Sequence, residues 1–349
     1  MPDLPQKFLI IRLSSIGDIV HALPAVSALG RAFPHAEIDW VVESRHARLL
    51  EGNPFVRRVI PFDTLAWRKR LLSRPTWADI RHGIKTLRRE RYEAAIDFQG
   101  LYKSALMGWL SSADERIGFA KARLREPAAA FFYTRRISAC NVQHVIDLNL
   151  ALLEPLGVTA PERNAWEFPL PASIEDEEHV SRTLAAFGAK DFILLNPGGG
   201  WQSKCWPPEN FANLMRRYAS EFDGDFLLTG SPAEESLIER IIRGSGVTRA
   251  RYFPSTLTQF IALARRARLL VAGDTGPLHI AAAVRTPVVA IFGPTDPVRN
   301  GPFSPRDLVL WNQGPIDYTR RAVNAGYISG ISVEAVAAAV RTRLKSVHG

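Results

Sequence analysis

The chain has 349 residues, 46% of them hydrophobic, with 44 Lys and Arg against 35 Asp and Glu and a formal net charge of +9. That length suits about two domains of roughly 150 residues each, and an ordinary charged fraction of 23% argues against wholesale disorder. No apolar run approaches the ~20 residues that span a bilayer, and the two cysteines, Cys140 and Cys205, exclude a disulfide framework or a thiolate metal site.

The first apolar stretch, "FLIIRL" (8–13), reads as a strand rather than as the core of a signal peptide, since an acidic residue precedes it and no cleavage pattern follows. A cytoplasmic location is the expectation. The chain then turns through Ser14, Ser15, Ile16, Gly17 and Asp18 into a helix predicted over 19–32. Amides at a helix start attract anions, and Ser or Asp caps them. Locally, Asp18 has two readings: a helix cap or a reacting carboxylate. The loop is not GxGxxG, so no dinucleotide fingerprint is present. Further strands are predicted at 37–43, 58–62, 94–98 and 116–119. Between Arg57 and Arg91 eleven Lys or Arg stand against three acids. That excess fits a solvated helix face, or, with Trp67 and Trp77, a surface that meets lipid.

A polar, proline-bracketed stretch, "EFPLPASIEDEE" (167–178), marks a boundary between a domain at 1–170 and a second at 171–349. Strand patterns resume at 192–198, 225–230, 250–254, 269–276 and 287–293. Strands alternating with helices predict α/β architecture: two Rossmann-like domains with parallel sheets, facing across a cleft, with ligands beyond the strand carboxyl ends. The terminal "SVEAVAAAVRTRLK" (332–345) is a helix capped by Ser332 and a candidate to pack back on the first domain.

The second series carries four strand–loop–helix junctions. In "NPGGGWQSKCWPPENF" (196–211), Gly198, Gly199 and Gly200 let backbone amides approach a phosphate closely, and Lys204 adds positive charge. A Walker loop is excluded by the spacing. "LLTGSPAEES" (227–236) places Glu234 to accept hydrogen bonds from ribose hydroxyls. "VAGDTGPLHIAAAV" (271–284) gathers Asp274, Thr275, Gly276 and His279, the last equally readable as a buried core histidine. "FGPTDP" (292–297) is the fourth. The acidic triplet "DGD" (223–225) reads as turn chemistry rather than a metal site, and the histidines show no zinc spacing. The high charge raises nucleic acid as a partner. The chain lacks an RRM signature, a zinc-finger pattern and a helix-turn-helix, so none is expected.

Taken in order, "SSIGDIVHALPAV", "DFQGLYKSAL", "REPAAAFFY", "LNPGGGWQSKCWP", "GSPAEE", "DTGPLHIAAAV" and "FGPTDP" resemble the lipopolysaccharide heptosyltransferases of glycosyltransferase family 9. "LAWRKRLLSRPTWADI" and "REPAAAFFY" are most similar to heptosyltransferase I. The resemblance covers nearly the whole chain and implies a two-domain GT-B fold and transfer of L-glycero-D-manno-heptose from ADP-heptose to Kdo2-lipid A with inversion. It makes Asp18 the general base and gives Lys204 a catalytic role at the departing diphosphate. Donor contacts fall on Gly198, Gly199 and Gly200, on Lys204, on Glu234 at the ribose and on backbone near Ser255 at the adenine. Asp274 falls at the heptose, with Thr275, Gly276 and His279 near sugar or diphosphate. Acceptor contacts fall on Ser15 and Gly17 and on the cations Arg68, Lys69, Arg70 and Arg125. No metal is required, with help from Mg²⁺ left open, and a monomer held peripherally on the cytoplasmic face of the inner membrane is implied. One departure stands out. Heptosyltransferase I sequences often carry Thr-Thr where this chain has Gly198, Gly199 and Gly200, a pattern also seen elsewhere in the family, so contact by amides takes the place of contact by hydroxyls. Heptosyltransferase II or III remains an alternative, and from another class, a non-catalytic nucleotide-sugar binder.

Overall fold

The computed structural model describes residues 7–70, 72–314, 316–317 and 326–345. Residues 1–6, which the sequence reading takes as free of a cleavage signal, lie outside the described residues. The chain divides into two units, Met1–Pro171 and Ala172–Gly349.

In the first unit, β1 (Lys7–Ile11), β2 (Glu37–Glu43), β3 (Arg58–Phe62), β4 (Ala94–Asp97), β5 (Glu115–Phe119) and β6 (Arg135–Ile137) form one parallel sheet ordered β3-β2-β1-β4-β5-β6. The central β1 is buried from Phe8 through Ile11, as a strand covered on both faces must be. From β1 the chain winds one way to β2 and β3, then returns to β4 on the other side. Right-handed crossovers in opposite directions put helices on both faces and leave a switch point between β1 and β4. Those helices include α1 (Ile16–Ala32), α2 (Thr64–Lys69), α3 (Arg74–Arg89), α4 (Tyr102–Leu110) and α5 (Val145–Ala151).

The second unit opens with α6 (Ile174–Phe187), capped by a Ser173–Asp176 box. Its sheet is again parallel, ordered β12-β11-β10-β7-β8-β9, with β7 (Phe192–Asn196), β8 (Asp225–Leu228), β9 (Ala250–Tyr252), β10 (Leu269–Gly273), β11 (Val288–Phe292) and β12 (Leu308–Trp311). Its switch point lies between β7 and β10. Around it run α7 (Pro208–Tyr218), α8 (Glu235–Ser245), α9 (Leu257–Ala264), α10 (Gly276–Ala283), α11 (Pro297–Asn300), α12 (Gly326–Ser329) and α13 (Val333–Lys345). The C-terminal helix α13 packs into the core of the second unit. Val336, Ala337, Val340 and Leu344 join the core under β10 and β11, and the Trp206 indole donates 2.9 Å to the Ile331 carbonyl just ahead of it. An amphipathic helix follows the nearest apolar surface, which this unit supplies.

The two strands missed by sequence reading, β6 and β12, are both edges. Both are short and half-exposed; β6, "RRI", offers a single apolar residue, whereas β12, "LVLW", is a continuous apolar run that the sequence reading passed over.

Candidate functional site

Every site residue named from the sequence falls at the carboxyl end of one sheet or the other. In the first unit this end carries the loops after β1, β3, β4 and β5. Helix α1 begins at Ile16, three residues earlier than expected, because Ser15 is its N-cap and Asp18 closes a capping box. Asp18 Oδ2 accepts from the Ser15 amide at 2.9 Å and the Ser15 hydroxyl at 2.8 Å. Its Oδ1 meets the Arg12 guanidinium at 2.5 Å. Burial opposes ionisation here, but Arg12 and the Ser15 bonds outweigh it and hold the carboxyl down at about 2. The N-cap itself is Ser15 rather than Asp18, which bonds back to it from the first turn. A carboxylate oxygen offers two acceptor positions, and Oδ1 carries one bond, to Arg12.

Arg12, to which the sequence reading gave no role, is buried and also donates to the Phe98 carbonyl at the end of β4. Gln99 fixes the same loop, its Oε1 accepting from the Leu13 amide at 2.8 Å and the Ser14 amide at 3.3 Å. The β1–β4 switch point thus holds the loop from both strands. Gly17 is buried and Ser15 exposed. Arg68, Lys69 and Arg70 stand exposed at and just after the end of α2, and Arg125 is exposed in the loop after β5. None of these four cations has a carboxylate oxygen within 4 Å among the described residues.

The basic stretch separates into two groups. Arg57 and Arg58 are spent on structure, clamping the buried Asp39 at 2.7 Å each, with Tyr92 donating to it at 2.6 Å. Of the two tryptophans in this region, Trp67 packs on Phe62 at 5.2 Å while Trp77 is half-exposed.

In the second unit the five loops after β11, β10, β7, β8 and β9 leave neighbouring strands, which is why residues a hundred positions apart share one edge. Lys204 is drawn to the switch point. Its ammonium donates to Asp274 Oδ2 at 2.5 Å and sits 4.7 Å over the Trp201 ring. Asp274 is buried and takes two more bonds, from Thr295 Oγ1 at 2.7 Å and His279 Nε2 at 3.0 Å. Burial disfavours its charge, yet His279 and Lys204 hold the group far below the usual carboxylate range. The core-histidine and site readings of His279 are thus joined: it is buried, and its ring meets Asp274. With three protein donors on it, Asp274 anchors Lys204.

Glycines let the backbone close in. A Cβ on Gly273 would strike the Lys204 carbonyl, and one on Gly293 would lie 2.8 Å from the Ser203 carbonyl, so the turn at 202–204 rests directly across the ends of β10 and β11. A Cβ on Gly198 would overlap the Glu234 carboxylate. Glu234 Oε2 accepts from the Ser231 amide and hydroxyl, both at 2.7 Å, which aims the head at the glycine loop. Gly199 packs against Thr275 and Cys205, whereas Gly200 is open. Thr275 caps α10, whose first residue is Gly276, and its hydroxyl donates to Asn196 Oδ1 at 3.3 Å. Asn196 in turn donates to the Thr229 carbonyl at 2.8 Å, and the Thr229 and Ser255 hydroxyls are 3.0 Å apart. Asn196 and Thr295 carry this network unnoticed by sequence reading, although both stand inside motifs it had quoted. The "DGD" stretch is a turn into β8, with Asp223 and Asp225 paired to Arg249 and Arg251.

Residues 80–325 match the model of Glycosyltransferase family 9 (heptosyltransferase). This chain belongs to that family. It is 31% identical to lipopolysaccharide heptosyltransferase 1 of Pseudomonas aeruginosa over 317 residues, 89% of this chain and 85% of that one. It is 27% identical to lipopolysaccharide heptosyltransferase 3 of Escherichia coli over 350 residues, 94% and 95% of the two chains. Its structure is similar to that of E. coli heptosyltransferase WaaC with ADP-2-deoxy-2-fluoro heptose, with a TM-score of 0.79 at 26% identity over 96% of this chain and 99% of that one. The family 9 chain is a glycosyltransferase, and its two parallel α/β sheets have the expected GT-B architecture.

Proposed function

We propose that this family 9 enzyme is an inverting heptosyltransferase that moves L-glycero-D-manno-heptose from ADP-heptose to a Kdo of Kdo2-lipid A. The observation that carries the reading is the pairing of two different sites on two sheets: a glycine-rich edge with an anchored ammonium, and a carboxylate held ionised at a helix start. The first suits a nucleoside diphosphate and the second suits an alcohol.

The acceptor oxygen attacks C1 of the heptose from the side opposite the diphosphate. The C1–oxygen bond to ADP breaks, ADP leaves, and the acceptor proton passes to Asp18 Oδ1. A carboxylate this acidic is a weak base, so proton transfer runs late, once bond formation to C1 has made the hydroxyl strongly acidic. On the donor side Lys204 keeps two N–H donors beyond the one given to Asp274. With the amides of Gly198, Gly199 and Gly200 and the start of α10 at Gly276, these would hold the charge that builds on the departing diphosphate. Glu234 Oε1, not engaged by Ser231, is available to the ribose, and backbone near Ser255 to the adenine. Arg68, Lys69, Arg70 and Arg125, with no carboxylate oxygen within 4 Å among the described residues, suit the carboxylates and phosphates of the acceptor. Because the acceptor is a glycolipid, the enzyme works as a peripheral protein at the cytoplasmic face of the inner membrane. The reading needs no metal and no second subunit.

Mass analysis of Kdo2-lipid A incubated with ADP-heptose and purified protein tests this. One added heptose is expected. No addition there, with addition to the already heptosylated product, would reassign the chain to the acceptor of a sibling enzyme.

A further inference from the structure

Helix α4 runs from the site edge toward the far edge of the first sheet and buries only one side. Tyr102, Leu106, Trp109 and Leu110 lie at i, i+4, i+7 and i+8, hence on one face. Tyr102 and Trp109 are each about half exposed, at 48% and 51%. The turn at 127–132 extends that face. Phe132 stands edge-on to Tyr102 at 5.3 Å and to Trp109 at 6.2 Å, and Phe131 beside it is 79% exposed. Three aromatic rings in contact on a surface, with the exposed Phe131 next in the chain, exceed the scatter of single apolar residues that any protein shows.

Cations border these rings. Helix α3 buries Thr76, Gly83 and Leu87, and its opposite face carries Arg81, Lys85, Arg88 and Arg89. These, with Arg91, line an open depression completed by Leu110 of α4. None of the five has a carboxylate oxygen within 4 Å among the described residues. Helix-end electrostatics explains part of this, since cations favour a helix C-terminus and Arg88 Nε donates to the Leu110 carbonyl at 3.0 Å. It does not explain Arg81 and Lys85, which lie more than a turn from the end, or the exposed rings alongside. Trp77, half-exposed one turn before Arg81, continues the stripe.

We propose that the outward faces of α3 and α4, with the turn at 127–132, form one docking surface for an anionic lipid bilayer. Aromatic rings settle at the headgroup level, and cations gain from the negative surface potential. No described helix is long and apolar enough to cross a membrane, so the attachment is peripheral. A second copy of this chain fits the face poorly, because two-fold pairing would bring one set of unpaired cations against the other. The proposal rests on the glycolipid-acceptor reading only for why lipid is near. The substitutions that test the surface leave Arg68, Lys69, Arg70 and Arg125 in place.

Vesicle co-sedimentation tests it, with phosphatidylglycerol mixed into phosphatidylcholine set against phosphatidylcholine alone. The full chain should bind the anionic vesicles and be released as salt rises toward ~1 M, where the Debye length falls to about 3 Å. Trp109→Ser with Phe131→Ser, and separately Arg81→Gln, Lys85→Gln and Arg89→Gln together, should each weaken vesicle binding by at least ~10-fold. ADP affinity and far-UV circular dichroism should remain those of the parent. Variants that bind vesicles like the parent, or a parent that binds neutral vesicles equally well, would overturn the proposal. So would a parent dimer that the Trp109 and Phe131 changes convert to monomer without altering vesicle binding. Heptose transfer to detergent-dispersed acceptor, run in parallel, separates the two claims. Transfer absent with vesicle binding still sensitive to the variants removes the functional reading and keeps the surface; the converse does the reverse.

Discussion

Asp18 performs two tasks with one carboxylate: it closes the cap of α1 through Oδ2 and offers Oδ1 beside Arg12. Asp18→Asn keeps the shape and an acceptor for the cap but removes the base, so kcat should fall by at least ~100-fold with ADP-heptose affinity nearly intact. Near-normal turnover would take the base role away from Asp18. Arg12 sets the pH range. With the folded pKa depressed to about 2, the Asp18 carboxylate contributes stability above the ordinary value of about 3.9, and that contribution disappears as pH falls through 2. As a base it stays ionised throughout the working range, so it should impose no acid limb on kcat/KM above about pH 4. Arg12→Gln removes the nearby positive charge, which should raise the pKa and bring a limb upward into view. An acid limb unmoved by that change would contradict the role. At the donor end, Lys204→Ala should raise the KM for ADP-heptose. Thr295→Val, which loosens Asp274 while leaving the ammonium present, should do so less. Steady-state kinetics at varied donor concentration orders the two.

Elements were legible in proportion to their burial. Strands such as "FLII" and "VVAIF", covered on both faces, announced themselves as continuous apolar runs, whereas "RRI" carries one apolar residue, as a short edge strand can; "LVLW" is an apolar run that the sequence reading passed over. The start of α1 was set three residues late because Ser15 and Asp18 read as loop polarity. Their reciprocal bonding becomes evident only when both are placed on the same turn. The glycine loop, Lys204 and Glu234 were legible as motifs. The anchoring by Asp274 was not, since three donors from residues 204, 279 and 295 converge on it only through the strand order. Charge counting likewise could not separate Arg57 and Arg58, committed to Asp39, from the unpaired cations of α2 and α3. Asp39 ties β2 to β3 from a fully buried position. Asp39→Ala would leave Arg57 to Glu37 and Glu90 and Arg58 to Glu90, but would remove hydrogen bonds from both and the acceptor of the Tyr92 hydroxyl, and should cost about 1–3 kcal/mol in the urea unfolding of the first unit. A loss below 1 kcal/mol would show that water replaces the carboxylate.

Across the molecule, each unit carries its own parallel sheet and its own buried cluster, and in each the residues assigned to substrate stand toward the carboxyl end of the strands. Ligand effects should follow that division. On adding ADP, hydrogen exchange should slow in the loops after β7, β8, β10 and β11, while amides in β1 and β2 keep their rates. Slowing centred on the loop after β1 would put the nucleotide in the wrong unit. The opposite ends of the strands carry none of the residues assigned here to substrate. Lys190, exposed two residues ahead of β7, stands at that quiet end. A chip or resin linked through position 190 would therefore leave the nucleotide loops open to solution, giving a capture device for sugar donors whose anchoring chemistry stays clear of what it measures.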